Sequence, residues 1–259
     1  MRNWKADEKI KRRGWLLLSF AAAMLLWYLL SLNPRTARSF PNVMKTLQAV
    51  QTMIERGVLF KDIQSSLISV AAGFALGFIL SLPTAILMAW YVPVRKILEP
   101  WIEFIRNIPP LAYVPLVVIS AGVGRRPQVI VITIATFLIM TITIYQGAVN
   151  VDETLIKAAR VLGAGDRQVF TRVLVPAILP YIITAIRLGS STALTTLIAA
   201  ESTGAVAGIG MRIRSLNNSF ESEPMLLYII IIGIIGMAVE KFIKYLEKRL
   251  TGWQEKREI

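Results

Sequence analysis

Apolar runs long enough to cross a lipid bilayer, separated by short charged stretches, dominate the chain. A hydrocarbon core needs about 20 mostly apolar residues in a helix. Trp15–Leu32 holds no charged residue and follows the basic stretch Lys9–Arg13 (KIKRR). A basic start before an apolar run also fits a signal peptide, but no small-x-small cleavage site follows, so it is read as an uncleaved first span. In the second span, Ser65–Tyr91, Pro83 predicts a kink. Gly73 and Gly77 there form a small-xxx-small pair that lets another helix come close. Ile108–Ala121 is a short third span that opens on Pro109 and Pro110 and contains Pro115. Pro127–Val149 is the fourth, Tyr181–Ala200 the fifth and unusually polar, and Met225–Val239 the sixth. Between the first two, residues 41–61 place Val43, Leu47, Val50 and Ile54 at helical spacing, the pattern of an amphipathic helix lying on the outer surface.

Charge placement turns this pattern into a topology. Six spans put both ends of the chain on one side. That side then holds 19 of the 29 Lys and Arg residues, in the N-terminal stretch, the two-three and four-five loops and the C-terminal stretch. The opposite side holds nine, and Arg187 lies inside span five. The positive-inside rule puts both termini in the cytoplasm. A net charge of +13 is accounted for in this way, and no nucleic-acid partner is needed. Composition agrees: 55% hydrophobic and 17% charged residues sit on the membrane side of ordinary soluble usage. With no Cys and no His, disulfides, thiolate or imidazole metal sites and His proton relays are excluded, and no metal site is read. The fold class is an all-α polytopic membrane protein of about six transmembrane helices.

The most informative stretch is Val151–Pro180 (VDETLIKAARVLGAGDRQVFTRVLVPAILP). Asp152 fits an N-cap, and Glu153 suits the positive end of a helix that runs to Leu162 and stops at Gly163. Asp166 fits the cap of a second helix, which Pro176 ends or kinks. Leu155, Ala158, Ala159 and Leu162 fall on one face, with two small side chains together where another protein surface can approach. On the residues alone, a docking helix and a plain connecting loop fit equally.

The order Lys157-Ala158-Ala159, three residues, Gly163, nine residues, Val173, then Pro176 resembles the EAA loop of ABC importer permeases, which reads Glu-Ala-Ala, three residues, Gly, nine residues, Ile-x-Leu-Pro. Lys157 stands at the Glu position, a reversal of charge, and Val173 and Val175 replace Ile and Leu. Ile105–Leu116 (IRNIPPLAYVPL) followed by Gly122-Val-Gly124 is similar to the Arg-x-Ile-Pro-x-x-Ala-x-x-Pro-Leu segment of the permeases for sulfonates, taurine and nitrate. Glu201 with Gly204, Gly208, Ile209 and Gly210 resembles the end of span five in that branch. The resemblance covers the chain from about Phe40 onward.

The resemblance implies the type I ABC importer permease fold, with residues 1–259 as one transmembrane permease domain. Residues 1–14 and 240–259 are then cytoplasmic tails, 41–61 an external segment and 151–180 the cytoplasmic coupling loop. It implies a dimer, expected to be a homodimer, and two cytoplasmic ATPase subunits that bind ATP and Mg. It further implies an extracytoplasmic substrate-binding protein that delivers a small anion such as a sulfonate, taurine or nitrate. The ATPase-coupling residues it implies are Leu155, Lys157, Ala158, Ala159, Leu162, Gly163, Asp166, Arg167 and Pro176. The chain lacks a G-x-x-x-x-G-K-[ST] loop, so ATP is expected to be handled by another chain, and this subunit is not read as an enzyme.

Span five is the candidate pore liner, with Thr184, Arg187, Ser190, Ser191, Thr195, Glu201 and Ser202 on one side at 100° per residue. A hydroxyl-lined path with Arg187 attracting an anion competes there with helix–helix hydrogen bonding and a snorkelling Arg187. For Glu201 a structural or gating role is favoured, since it repels an anion. Asn107, Pro109, Pro110 and Pro115 are incompatible with a regular helix and are read as a gate-forming segment, against the plainer alternative of a kinked helix. The competing function is an ion- or proton-coupled carrier working alone, weakened by Glu201 being the only convincing buried acid.

Overall fold

The computed structural model describes residues 4–250. Every regular element among them is helical: α1 (Trp4–Leu32), α2 (Val43–Glu55), α3 (Leu59–Trp90), α4 (Val92–Arg106), α5 (Pro110–Ala121), α6 (Arg125–Val149), α7 (Glu153–Val161), the single turn α8 (Asp166–Gln168), a π-helical segment (Val169–Leu174), α9 (Val175–Gly204), α10 (Ile209–Asn218) and α11 (Ser222–Leu250). Five stretches are long and apolar enough to cross a membrane: residues 14–32, 59–90, 125–149, 166–204 and 222–249. A further stretch reaches that length only as a bent pair, α4 and α5, which meet at 101° as a broken span or a re-entrant loop. The tails beyond residues 4–250 lie outside the described residues.

The described chain divides into two compact units. The first holds α1, α2 and the segment Ser215–Ile230. The apolar length of α1 is hardly buried within the chain, and the Trp27 indole N–H donates to the Pro41 carbonyl at 2.9 Å. The side chain of Asn42 caps α2 by accepting from the Met44 N–H at 2.8 Å. The amphipathic helix expected over 41–61 is therefore shorter, and its buried face is Thr46, Ala49 and Met53. Leu47 and Ile54, placed on the apolar face by the sequence pattern, are exposed. Thr46, Ala49 and the large Met53 pack inward on α2, while Leu47 and Ile54 stay outside.

The second unit spans Lys61–Arg214 and continues from Ile231. Its centre is α6, with Val131, Ile132, Met140 and Ile144 fully buried. Met140, Ile144, Leu138 and Ile142 of α6 join Ala85 and Met88 of α3, Ile102 of α4 and Ala185 of α9 in one apolar core. Without a hydrophobic drive between helices in lipid, such packing depends on close backbone approach. Gly73 faces Ile132 so closely that a Cβ there would sit 2.7 Å from the Ile132 Cβ, and one on Gly77 would overlap the Thr136 side chain. Across the gap, the Thr133 hydroxyl donates to the Gly73 carbonyl at 3.2 Å. The pair of glycines thus seats α3 on α6, as their spacing predicts.

Gly147 of α6 does the same for α9, where a Cβ would overlap the Cβ and ring of Tyr181. Substituting Gly147→Val is expected to lower stability by about 2–3 kcal/mol through overpacking, read as a lower thermal midpoint in detergent. An unchanged midpoint would show that the two helices separate freely.

Prolines broke fewer helices than the sequence suggested. The helix α3 runs uninterrupted through Pro83, and Pro115 lies inside the continuous helix α5. Asn107, Ile108 and Pro109 form the actual break, with α5 starting at Pro110 in the first turn, where a missing N–H costs nothing. The helix α4, expected as loop, is strongly amphipathic and contains Pro100. Its inner face, Val94, Leu98, Ile102 and Ile105, packs on the core, while Ile97, Trp101 and Phe104 are exposed. The short α10 was likewise not legible as a helix.

Candidate functional site: a coupling segment and a polar helix face

The segment expected from the sequence to be the coupling loop is built from its caps inward. Asp152 accepts the Thr154 N–H at 2.8 Å and starts α7. Glu153 lies in the first turn, where the helix dipole favours a carboxylate. Gly163, at φ +84°, follows the C-cap Leu162 and turns the chain out of the helix in a conformation that other residues adopt only at a cost. Two expectations for the second helix are corrected. The cap is Gly165, whose N–H donates to the Gln168 side chain at 3.1 Å, and Asp166 is the first helical residue. Nor does Pro176 end the helix. The chain passes through the π-helical turn Val169–Leu174 straight into α9. A proline lacks an N–H and crowds the carbonyl four residues back, and the wide turn immediately before it takes up the misfit.

Among the described residues, α7 buries no side chain of its own. Leu155 is exposed, Val161 and Leu162 are 87% exposed, and Ala158 is exposed while Ala159 is half-buried. Ala159 and Leu162 border a hollow of about 270 Å³ completed by Ala164, Gln168, Arg172 and Val173. Lys157, at the position of the reversed charge, donates to Glu153 at 2.8 Å within the same helix. Arg160 pairs with Asp166 across the Gly163 turn, and Arg167 and Pro176 are exposed.

Hydrogen bonds from Thr154 hold the Asp152 carboxyl below the ordinary carboxylate range. The hydrogen bond and charge of Lys157 do the same for Glu153, and the reciprocal contact raises Lys157. Carboxylates depressed in the folded state support it above their ordinary pKa, and that support is lost as pH falls through the lowered values.

The polar side of α9 divides into two. Thr184, Ser191 and Thr195 are exposed along one face. The hydroxyls of Thr184 and Thr195 donate to carbonyls of their own helix, Thr184 to Pro180 at 3.0 Å and Thr195 to Thr192 at 3.0 Å. The helix–helix bridges considered from sequence are not what these two hydroxyls make. Arg187 is not a lone charge on this face: its guanidinium pairs with Glu247 of α11.

Glu201 leaves the exposed face altogether and is fully buried. Its carboxylate accepts from the Ser66 hydroxyl and from the Gly210 N–H, each at 2.7 Å. Ser66 in turn accepts the Ile209 N–H at 2.8 Å, and Asp62 accepts the Gly208 N–H at 3.1 Å and the Arg212 Nε–H at 2.7 Å. Three consecutive N–H groups at the start of α10 are thereby held by three side chains, two of them from α3. The glycines are required: a Cβ on Gly208, at φ +145°, would strike the Glu201 carboxyl group. The sequence marked Glu201 and its glycines, but Asp62, Ser66 and Arg212 were missed. The polar spacing Asp62, Ser66, Ser69 at the head of an apolar span was the available signal.

Comparison with known proteins agrees with this architecture. Residues 77–252 match the family described as the binding-protein-dependent transport system inner membrane component. A probable ABC transporter permease protein of Brucella abortus is 39% identical, over 96% of this chain and 99% of that one. The taurine transport system permease protein TauC of Escherichia coli is 34% identical, over 75% of this chain and 71% of that one. Among solved structures, an inward-facing form of the MetNI methionine ABC transporter superposes with a TM-score of 0.69 at 17% identity, covering 76% of this chain and 98% of that one, a likeness of fold. The chain belongs to the family of binding-protein-dependent transport system inner membrane components: it is a multi-pass ABC importer permease of the type I fold, and not an enzyme.

Proposed function

We propose that two identical copies of this chain form the translocation path of an importer for a small anionic solute, such as taurine, another sulfonate or nitrate. An extracytoplasmic binding protein delivers the solute. Two cytoplasmic ATPase subunits bind ATP and Mg and receive α7 as the coupling helix, with Leu155, Lys157, Ala158, Ala159, Leu162, Gly163, Asp166, Arg167 and Pro176 forming or shaping the contact. Both termini lie in the cytoplasm, consistent with the bias of basic residues. The observation that carries this reading is α7 itself: a capped helix with no buried side chain, bearing exposed Leu155, Val161 and Leu162 beside two alanines. Exposed aliphatic side chains on a polar membrane loop are costly unless a partner covers them. The anionic class is supported by the likeness to a taurine permease.

Gentle extraction of the tagged chain from its native membrane is expected to bring down a P-loop ATPase, and the assembled complex to import taurine or nitrate only with ATP and the binding protein. A folded chain recovered alone, driving uptake from an ion gradient, would replace this reading with a carrier.

A further inference from the structure

The break between α4 and α5 borders a cavity of about 260 Å³, lined by Arg106, Asn107 and Tyr113 on one side and by Ala135, Leu138 and Thr192 on the other. Its depth follows from the two long helices that wall it. The helix α6 has 25 residues, and Ala135 and Leu138 lie at its centre, about 15–20 Å from its start at 1.5 Å per residue. On α9, Thr192 lies 17 residues after Val175 and 12 before Gly204. A hydrocarbon core of about 30 Å therefore has the cavity near its midplane. In the sequence pattern Arg106 falls in the loop between the second and third spans. The structure puts it at the end of α4 beside this cavity.

A guanidinium at that depth is expensive unless it faces water, a partner charge or a solute. Among the described residues Arg106 forms no ion pair and is exposed. Irregular backbone at membrane depth is likewise tolerated where it lines a hydrated cavity. Asn107 is held in place by donating through Nδ2 to the Glu103 carbonyl at 2.8 Å. Guanidinium groups match oxyanions with paired donors, and neutral amide and hydroxyl groups add contacts without a second charge. The cavity volume falls just below the range of sites for drug-sized ligands, as suits a solute of a few heavy atoms.

We propose that this elbow cavity is a solute site in the path, where Arg106 takes the charged oxygens of a small oxyanion such as a sulfonate and Asn107, Tyr113 and Thr192 fix its remaining atoms. The inference rests on the reading of the chain as an anion importer.

The chain has no cysteine, so a single reporter can be placed cleanly. In the assembled transporter, Thr192→Cys, with Tyr113→Cys as a second reporter, is treated with two thiosulfonate reagents, one carrying an ethylsulfonate and one a trimethylammonium group. Rates are divided by those for a free thiol in water. The sulfonate reagent is expected to react about tenfold faster, the scale on which a charged cleft concentrates a counter-ion. Arg106→Gln should erase that preference and Arg106→Lys retain it. A preference unchanged by Arg106→Gln overturns the site, as does absence of labelling at both reporters in both the nucleotide-free and ATP-trapped states. Loss of the preference in Arg106→Gln upholds the site even in a transporter that imports neither taurine nor nitrate, and it is then the importer's solute class that falls.

Discussion

Substituting Ala158→Arg is expected to abolish uptake while leaving the folded chain in the membrane. Ala158 is exposed on α7, so the change meets nothing within its own chain, unlike one at the half-buried Ala159. At a docking contact an unmatched guanidinium costs about 3 kcal/mol, or roughly a hundredfold in association at 1.4 kcal/mol per decade. The check is threefold: ATPase recovered with the tagged chain, solute uptake in proteoliposomes, and thermal midpoint. Loss of the first two with an unaltered midpoint is the expected pattern. Full uptake with a normally associated ATPase would remove α7 from the coupling contact.

The largest effect on stability is expected at Glu201. Truncation by Glu201→Ala leaves the Ser66 hydroxyl and the Gly210 N–H without the acceptor that each now holds at 2.7 Å in a buried site. An unpaired buried donor costs about 1–3 kcal/mol, so the pair together cost about 4 kcal/mol, a drop in thermal midpoint on the order of 10 °C. Glu201→Gln should fall between, because an amide offers one acceptor where the carboxylate offers two and turns its own N–H₂ towards a donor. Thermal unfolding of the three proteins in the same detergent ranks them. Equal midpoints for all three would mean that the start of α10 is held elsewhere.

Much of this molecule was legible before its structure because membrane helices announce themselves by length and apolarity, and the small-xxx-small pair Gly73 and Gly77 named a real contact. The caps at Asp152 and Gly163 were also legible, since each follows from local chemistry. What failed was non-local or concerned proline. Pro110 and Pro176 looked like helix breakers, but a first-turn position or a π-helical turn absorbs such residues without ending the helix. Periodicity put Glu201 and Ser191 on one side of a helix, yet the loop that folds back to bury the carboxylate lies nine residues further along the chain. Arg187 and Glu247 are 60 residues apart, so nothing in the neighbourhood of either predicted their pairing.

The seating of α3 on α6 limits how this lineage can diverge. Where Gly77 faces Thr136 no side chain fits, so drift at either position is not independent. A descendant that acquires alanine at 77 bears the overpacking cost, about 1–3 kcal/mol, in full unless the threonine at 136 has already given way to something smaller, so that order of change is the less costly one.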